Sequence, residues 1–277
     1  MRRQIAILFV AFSLFFAGCS PQNCNLVERQ VSNFTYYFAD HKGRIDEPLI
    51  VLCHGMGGNH TDMESMAEIF YEAGYAVVTF DLYGHEGIAY DNDIYLDEMI
   101  EISESRIQNI LLDLQEGGMC DSSSYGIGGY SLGGMLAFYT TAYGETVPKI
   151  VISLAAIPDF VNVLEKAGSS MASKYSAKKW RLEHTTEEEN RKLLEWASSH
   201  NPADQIERLT QVPIIMVNGT DDTYMSIEYA REFQEEIKTA GGYIRVFENL
   251  GGTHTDLGDY HMEEILQITK EILPADE

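Results

Sequence analysis

The chain has 277 residues, of which 45% are hydrophobic and 22% are charged. This length suits one large domain or two small ones, and the apolar content is sufficient for a sizeable core, which excludes a disordered polymer. The formal net charge is −24. Such an acidic balance argues against a nucleic-acid partner, because a protein that binds phosphates needs a stripe of basic side chains.

The N-terminus has the pattern of an export signal. Two arginines precede an apolar run over residues 5–17 that is broken by a single serine. The run is shorter than the ~20 apolar residues of a membrane-spanning helix, but it suits the apolar region of a signal peptide. The ending Phe-Ala-Gly-Cys at positions 16–19 resembles a bacterial lipobox, with phenylalanine in place of the usual leucine.

This resemblance implies that residues 1–18 are a lipoprotein signal peptide and that Cys19 carries the lipid. We therefore expect an exported lipoprotein of the bacterial cell envelope, attached to a membrane by its N-terminal acyl chains. The polar residues 19–30 are expected to form a short tether. An ordinary signal peptide cut nearby and an uncleaved anchor remain as alternatives.

Residues 31–277 alternate between strand-like and helix-like patterns. The predicted strands are 33–38, 48–53, 75–80, 125–130, 149–155, 212–218 and 243–247. The predicted helices are identified from apolar residues that fall on one face. The first starts with a capping box at 61–64 and ends at Gly74, and the others are 97–116, 132–143, 226–239 and 260–272. This alternation predicts an α/β fold with a mostly parallel sheet and helices on both faces.

The stretch from about 160 to 205 interrupts this alternation. It contains no strand pattern, many charges and scattered large apolar residues, including both tryptophans of the chain, Trp180 and Trp196. Insertions of this kind often cover an active site, so we expect a helical cap there. The alternative is a polar surface excursion without a functional role.

The sharpest chemical signal is the Gly-Tyr-Ser-Leu-Gly sequence at 129–133. It follows a predicted strand and precedes a predicted helix, which is the context of a nucleophile elbow. The tight turn would expose the Ser131 hydroxyl above the sheet edge, and glycines are needed because a side chain at 129 or 133 would meet the neighbouring backbone. We therefore predict Ser131 as a nucleophile.

Two further loops supply the partners that such a serine needs. The strand ending at residue 53 runs into His-Gly-Met-Gly-Gly at 54–58, and the backbone N–H groups of Met56 and Leu132 would form an oxyanion hole. The acid is Asp221 or Asp222, and the base is His254, both in loops that follow later strands. The carboxyl ends of parallel strands meet at one sheet edge, so these groups can reach Ser131.

The remaining histidines and cysteines carry weaker signals. His54 and His85 follow predicted strands and are interpreted as residues that order loops rather than as bases. Cys24 and Cys120 could pair in an oxidising compartment, a question that the sequence leaves open. No Cys-x-x-Cys sequence occurs, so no metal site is predicted.

Taken together, residues 34–275 resemble the α/β-hydrolase superfamily, and most nearly small bacterial carboxylesterases and the dienelactone-hydrolase-like and prolyl-oligopeptidase-like hydrolases. The landmarks are His54-Gly55, Asp81-x-x-Gly84-His85, the elbow, Gly219-x-x-Asp222 and the late His254. In that pattern the aspartate three residues after the glycine is the triad acid, which implies Asp222. The insertion and the Gly-Gly-Thr-His approach to the histidine depart from the family and leave the substrate open.

The resemblance implies a serine hydrolase that cleaves a small-molecule carboxylic ester through an acyl-enzyme, with a Ser-His-Asp triad and no metal or organic cofactor. Two alternatives remain. An exported peptidase or amidase would use the same chemistry on another bond, and a non-catalytic binding lipoprotein would keep the fold alone.

Overall fold

The computed structural model describes residues 24–42, 44–87, 94–170 and 187–275. The predicted signal peptide, the predicted lipid attachment site Cys19 and the first part of the predicted tether lie outside these residues, as does the middle of the predicted cap. Among the described residues, no helix has both the length and the apolar character required to cross a bilayer.

Eight strands of the described chain form one sheet. They are β1 Val27–Val31, β2 Phe34–Ala39, β3 Pro48–Cys53, β4 Ala76–Phe80, β5 Asp121–Tyr130, β6 Ile150–Leu154, β7 Ile214–Gly219 and β8 Ile244–Asn249. Their spatial order is β1-β2-β4-β3-β5-β6-β7-β8. Strand β2 is antiparallel to β1 and to β4, and every other neighbouring pair in this sheet is parallel.

The described helices follow the strands in the expected alternation. They are α1 Glu64–Glu72, α2 Leu96–Glu116, α3 Leu132–Tyr143, α4 Phe160–Ser170, α5 Glu187–Ser199, α6 Ile206–Leu209, α7 Ile227–Thr239 and α8 Met262–Ile272. Helices α2, α3 and α7 pack on one face of the sheet, and α1 and α8 pack on the other. The predicted mostly parallel sheet with helices on both faces is therefore confirmed.

The pleat of the central strands explains this layering. In β3, Leu49 and Val51 join the core cluster that includes α2, α3 and α7, whereas Ile50 and Leu52 join the cluster that includes α1 and α8. All four side chains are fully buried. Because successive side chains of a strand point to opposite faces, a continuously apolar run is what a sheet covered on both sides requires.

The N-terminal edge of the sheet differs from the sequence prediction. Residues 27–30, predicted as the last part of a tether, belong to β1, which pairs with β2 from Val27–Phe38 to Val31–Phe34. The two strands are joined by a tight turn in which Ser32 has a φ of 55°. The strand was missed because its side chains are mostly exposed at a sheet edge and give no apolar run.

The described part of the insertion is helical, as expected, but it packs beside the sheet. In α5, Leu193 and Ala197 are buried in the cluster with α2 and α3. The indole Nε1 of Trp196 donates to a carboxylate oxygen of Glu101 in α2 at 2.6 Å, and its ring stacks near Tyr139 of α3. These contacts fix α5 against α2 and α3, while the segment 171–186, which includes Trp180, lies outside the described residues.

The cysteines of the described chain are not joined to one another. Cys24 packs against the cluster that contains α1, whereas Cys120 is buried in the cluster that contains α2. Both thiols are free, as is that of the buried Cys53. Burial raises the pKa of Cys24 to about 11 and that of Cys120 to about 12, so both stay protonated at neutral pH.

Candidate active site

The turn between β5 and α3 holds Ser131 in a conformation that few residues adopt. Its φ is 51° and its ψ is −112°, outside the ordinary regions for a residue with a side chain. The turn is secured by a hydrogen bond from the Ser131 amide to the Leu154 carbonyl at 2.8 Å and by another from Met135 to the Ser131 carbonyl at 2.9 Å. The serine is buried at the head of α3, with 5% of its surface exposed.

The glycines on each side of this serine are required by close backbone contacts. A Cβ on Gly129 would lie 2.3 Å from the carbonyl carbon of Gly133, and a Cβ on Gly133 would lie 2.0 Å from the carbonyl oxygen of Cys53. Real Cβ atoms do not approach other atoms so closely. The crowding expected from the sequence is therefore present, and it also brings the end of β3 against the first turn of α3.

Ser131, His254 and Asp222 form a continuous chain of contacts. Ser131 Oγ lies 2.8 Å from His254 Nε2, and His254 Nδ1 lies 2.9 Å from Asp222 Oδ2. An ionised carboxylate only accepts hydrogen bonds, so Nδ1 carries the proton and Nε2 is free to accept from the serine hydroxyl. The structure thus brings together the three side chains that the sequence had indicated in separate loops.

The two adjacent aspartates have different surroundings. The carboxylate of Asp222 is fully buried, and its Oδ1 accepts from the amides of Tyr224 at 2.8 Å and Met225 at 2.9 Å. The exposed Asp221 accepts from the hydroxyl of Thr220 at 3.2 Å. Of this pair, Asp222 is the one whose carboxylate contacts His254, which is the placement that a triad acid requires.

Two further aromatic residues hold His254. The Tyr130 hydroxyl donates to the His254 backbone carbonyl. The Tyr224 ring meets the imidazole edge-on, with ring centroids 5.2 Å apart. Sequence reasoning did not single out either residue, although Tyr130 stands next to the nucleophile. The amide of Tyr224 also donates to the Asp222 carboxylate, so Tyr224 contacts both Asp222 and His254.

The loop after β3 lies next to Ser131, since a Cβ added to Gly55 would be 3.6 Å from the Ser131 Cβ. The Gly58 amide donates to the Gly55 carbonyl at 3.1 Å, and the Gly57 amide donates to His85 Nε2 at 3.1 Å. Among the described residues, no acceptor bonds the Met56 amide, so it remains available. Leu132 is the first residue of α3, and its amide therefore has no acceptor within the helix. Met56 lies in the wall of the cavity that contains Ser131, and Leu132 directly follows Ser131 at the head of α3.

His54 and His85 order these loops, as the sequence suggested. His54 is fully buried, accepts from the Leu82 amide through Nε2 at 3.0 Å and has Nδ1 2.7 Å from the Gly55 carbonyl. Desolvation lowers the pKa of His54 to about 4 and also lowers the pKa of His85. Both rings are therefore neutral at pH 7 and connect the loop after β3 to the loop after β4.

A cavity of about 640 Å³ opens beside the nucleophile. Its wall includes Ser131 and His254, and the remaining described lining residues are Gly55, Met56, Gly57, Gly58, Asp62, Met63, Ser65, Met66, Ile69, Tyr130, Leu154, Thr255, Tyr260 and Met262. None of the described residues of the insertion is among them. The described parts of α4 and α5 therefore do not support the expectation that the insertion covers the site. Residues 171–186 of the insertion lie outside the described residues.

Within the described residues, no group of three or more His, Cys, Asp or Glu side chains is arranged to hold a metal ion. The arrangement that is present provides a serine hydroxyl, an imidazole in contact with it and a buried carboxylate in contact with the imidazole. This set suits acyl transfer, in which a hydroxyl attacks a carbonyl carbon and negative charge develops on the carbonyl oxygen.

Comparison of the sequence with known proteins gives a family and two distant curated relatives with the same description. The sequence profile of the prolyl oligopeptidase family matches residues 61–269 of this chain. An Escherichia coli protein, described as an uncharacterized 31.7 kDa protein in the traX-finO intergenic region, is 32% identical over 116 residues. That match covers 41% of this chain and 39% of the E. coli protein.

Solved structures with the same fold include peptidases and esterases. Pyrococcus horikoshii acylaminoacyl peptidase has a TM-score of 0.67 at 16% identity, covering 91% of this chain and 42% of that chain. A puromycin-hydrolyzing peptidase of Mycobacterium tuberculosis has a TM-score of 0.69 at 16% identity, covering 88% and 38%. The native esterase Est2 of Thermogutta terrifontis has a TM-score of 0.66 at 19% identity, covering 92% and 95%.

These likenesses confirm the fold class, and they differ in extent. This chain spans less than half the length of the two peptidases, at 42% and 38%, but 95% of the esterase. The family match covers most of the chain, from residue 61 to residue 269, and includes the elbow and both partner loops. The chain therefore has the α/β-hydrolase fold and belongs to the prolyl oligopeptidase family of serine hydrolases.

Proposed function

We propose that this protein hydrolyses carboxylic esters through an acyl-enzyme on Ser131. The observation that carries the proposal is the unbroken line of contacts from Ser131 Oγ to His254 Nε2, at 2.8 Å, and from His254 Nδ1 to Asp222 Oδ2, at 2.9 Å. Both distances are within the range of hydrogen bonds, so a proton can pass from the serine to the imidazole as the serine attacks.

In the first half of the reaction, Ser131 Oγ bonds to the ester carbonyl carbon and its proton moves to His254 Nε2. The tetrahedral intermediate then collapses, the bond to the alkoxide breaks, and the leaving oxygen takes the proton from Nε2 and departs as an alcohol. In the second half, a water molecule gives a proton to Nε2 as its oxygen bonds to the acyl carbon. The bond from that carbon to Ser131 Oγ then breaks, Oγ takes the proton back from Nε2, and a carboxylic acid is released.

The surrounding groups would stabilise the charges that form on the way. The negative carbonyl oxygen would accept hydrogen bonds from the Met56 and Leu132 amides, and the head of α3 adds its positive dipole end. The imidazolium would be stabilised by the Asp222 carboxylate, which two amides hold in place. Removing one such oxyanion donor typically costs about 10²–10³ in rate.

An exported peptidase or amidase is the second candidate. It is supported by the prolyl oligopeptidase family match and by two structural relatives that are named as peptidases. We place ester hydrolysis first because the described wall of the cavity beside Ser131 is mostly apolar and offers few polar partners to the N–H and C=O groups of a peptide.

We also propose that the enzyme is exported and attached to the cell envelope through a lipid on Cys19. The support is the sequence alone, namely the positive start, the short apolar run and the lipobox-like ending. β1 begins at Val27, so a few residues separate the proposed lipid from the folded domain. The proposed tether is therefore shorter than residues 19–30.

Covalent labelling with a fluorophosphonate tests the nucleophile. We expect the detergent-solubilised full chain to incorporate one label, located on Ser131 by peptide mass mapping. The His254→Ala variant should label at least about 10³-fold more slowly, because the serine loses its base. His200→Ala is a matched control, since His200 contacts Trp196 and lies outside the cavity wall; this variant should label normally.

The same preparation separates the candidate functions. Ester cleavage without anilide cleavage supports the esterase, while comparable kcat/KM values on matched ester and anilide substrates support the peptidase or amidase. A native chain that remains unlabelled and inactive on both substrates contradicts the proposal and favours a binding lipoprotein.

A further inference from the structure

The cavity beside Ser131 is unusual in the residues that form it. Four of the chain's 11 methionines are in its wall, namely Met56, Met63, Met66 and Met262. Met56 lies in the loop after β3, Met63 and Met66 lie just before α1 and in its first part, and Met262 is the first residue of α8. A concentration of one flexible apolar side chain from distant parts of the sequence indicates that the fold assembles an apolar pocket at this place.

The rest of the wall is consistent with this character. Ile69, Leu154 and the rings of Tyr130 and Tyr260 add apolar surface. Asp62 is the only carboxylate among the described lining residues, and it is exposed. Its Oδ2 accepts from the Asn59 amide at 3.1 Å, which fixes a negative charge in the wall. A neutral apolar group is thus accepted more easily than an anion.

We infer that this cavity is the specificity site of the enzyme and that it binds an unbranched apolar chain of medium length, carried by the ester substrate. The inference rests on the proposed ester hydrolysis, because the cavity wall includes Ser131 and His254 themselves. A cavity of about 640 Å³ is within the range that holds drug-sized ligands and is far larger than an acetyl group requires.

The chemistry of the wall explains the preference. A methionine side chain has three rotatable bonds and a polarizable sulfur, so four of them adapt around a flexible chain. A peptide would instead bring N–H and C=O groups into a wall with few polar partners, and burying such groups unpaired is costly. After cleavage on the acyl side, the carboxylate product would be repelled by Asp62, which favours its release.

Two series of esters test the inference and assign the chain to one side of the bond. One series varies the acyl chain from acetyl to octanoyl on p-nitrophenol, and the other varies the alcohol from methyl to octyl on acetate. We expect kcat/KM to rise about threefold to fourfold per methylene group in one series, because each buried methylene adds about 0.8 kcal/mol. The series that rises identifies the side that enters the cavity.

The variant Met66→Trp tests the location. Met66 is half-buried on α1 and faces the cavity, so an indole at this position would fill part of it. We expect the octyl-to-methyl or octanoyl-to-acetyl ratio of kcat/KM to fall by about tenfold or more. The ratio is measured on one preparation, with active sites counted by fluorophosphonate titration, so partial misfolding does not affect it.

Leu112→Trp is the matched control, because Leu112 is 52% exposed on α2 and outside the cavity wall. Its ratio should equal that of the wild type. Hydrolysis without a chain-length preference in either series, or a preference that Met66→Trp leaves intact, overturns the inference while ester hydrolysis stands. Absence of labelling and of all ester cleavage would instead refute the proposed function.

Discussion

Asp221 and Asp222 are neighbours in sequence with opposite environments. The Asp222 carboxylate is buried and receives two backbone amides and the imidazole of His254. The amide bonds leave one oxygen directed at His254 Nδ1. The exposed Asp221 carboxylate accepts from a threonine hydroxyl and makes no hydrogen bond to His254 among the described contacts. The difference arises from the position of the turn in the loop after β7. A shift of this turn by one residue would direct the Asp222 carboxylate towards solvent instead.

We therefore predict a large difference between Asp222→Asn and Asp221→Asn. Asparagine at 222 keeps the shape but replaces an acceptor by an amide that can force the wrong imidazole tautomer. Ester kcat should fall by about 10³–10⁴-fold, while Asp221→Asn should stay within about twofold of the wild type. Steady-state kinetics on p-nitrophenyl esters measures both. Equal losses in the two variants would contradict the assignment of Asp222.

Among the elements, the site depends on how closely the end of β3 packs against α3. The position that a Cβ of Gly133 would occupy is 2.0 Å from the Cys53 carbonyl oxygen, so the helix head and the strand end touch through backbone. This contact brings the start of the loop after β3 against the first turn of α3. The catalytic geometry is thus a consequence of strand and helix packing rather than of the loop sequence alone.

Gly133→Ala should consequently destabilise the whole domain. The methyl group must displace backbone, and we expect the free energy of unfolding to fall by about 3 kcal/mol or more. Gly241→Ala is the comparison, because Gly241 has a φ of 90° but a Cβ added to it would meet no atom of the described chain within 4 Å. It should cost about 1–2 kcal/mol for the left-handed conformation alone. Urea unfolding measures both values, and equal costs would show that the crowding has no consequence.

Sequence periodicity predicted most elements but not all of their ends. Helix α2 was expected at 97–116 and is observed at Leu96–Glu116. The capping box expected at 61–64 is instead formed two residues earlier, where the Asn59 side chain accepts from the Thr61 amide and the Asp62 carboxylate accepts from the Asn59 amide. A short 3-10 turn, His60–Met63, therefore precedes α1. Capping depends on local geometry, and several spacings in this polar stretch satisfied the same pattern.

Across the molecule, buried histidines couple the stability of the fold to pH. His54 lies between the loops after β3 and β4, and its pKa is lowered to about 4 by desolvation. Its pKa in the unfolded chain is about 6.5, so protons bind the unfolded state preferentially between these values. The stabilisation by neutral His54 is complete above pH 6.5 and is lost as pH falls towards 4.

The variant His54→Gln isolates this contribution, because glutamine can accept from the Leu82 amide and donate to the Gly55 carbonyl without titrating. Between pH 7.5 and pH 5, we expect the free energy of unfolding of the wild type to fall by about 2 kcal/mol more than that of the variant. Urea unfolding at the two pH values provides the measurement. Parallel losses would mean that His54 is not held neutral by burial.

Features that depend on residues close together in the sequence could be predicted without the structure. Alternating strand and helix periods indicated the α/β architecture, and the Gly-x-Ser-x-Gly turn indicated the position of Ser131, because steric crowding in a tight turn demands glycine locally. The chain order of the partner loops was sufficient to name His254 and to limit the acid to two adjacent residues. Because the carboxyl ends of parallel strands lie at one edge of the sheet, the proximity of Ser131, His254 and the acid was also predictable.

Contacts between distant segments, in contrast, emerged only in the folded chain. There β1 pairs at the sheet edge, and α5 packs on α2 and α3. Folding also brings Met56 and Met66 to the same cavity as Met262, from near the other end of the chain. Local sequence patterns carry no information on such long-range contacts, because these contacts are set by how the layers pack after the helices and strands have formed.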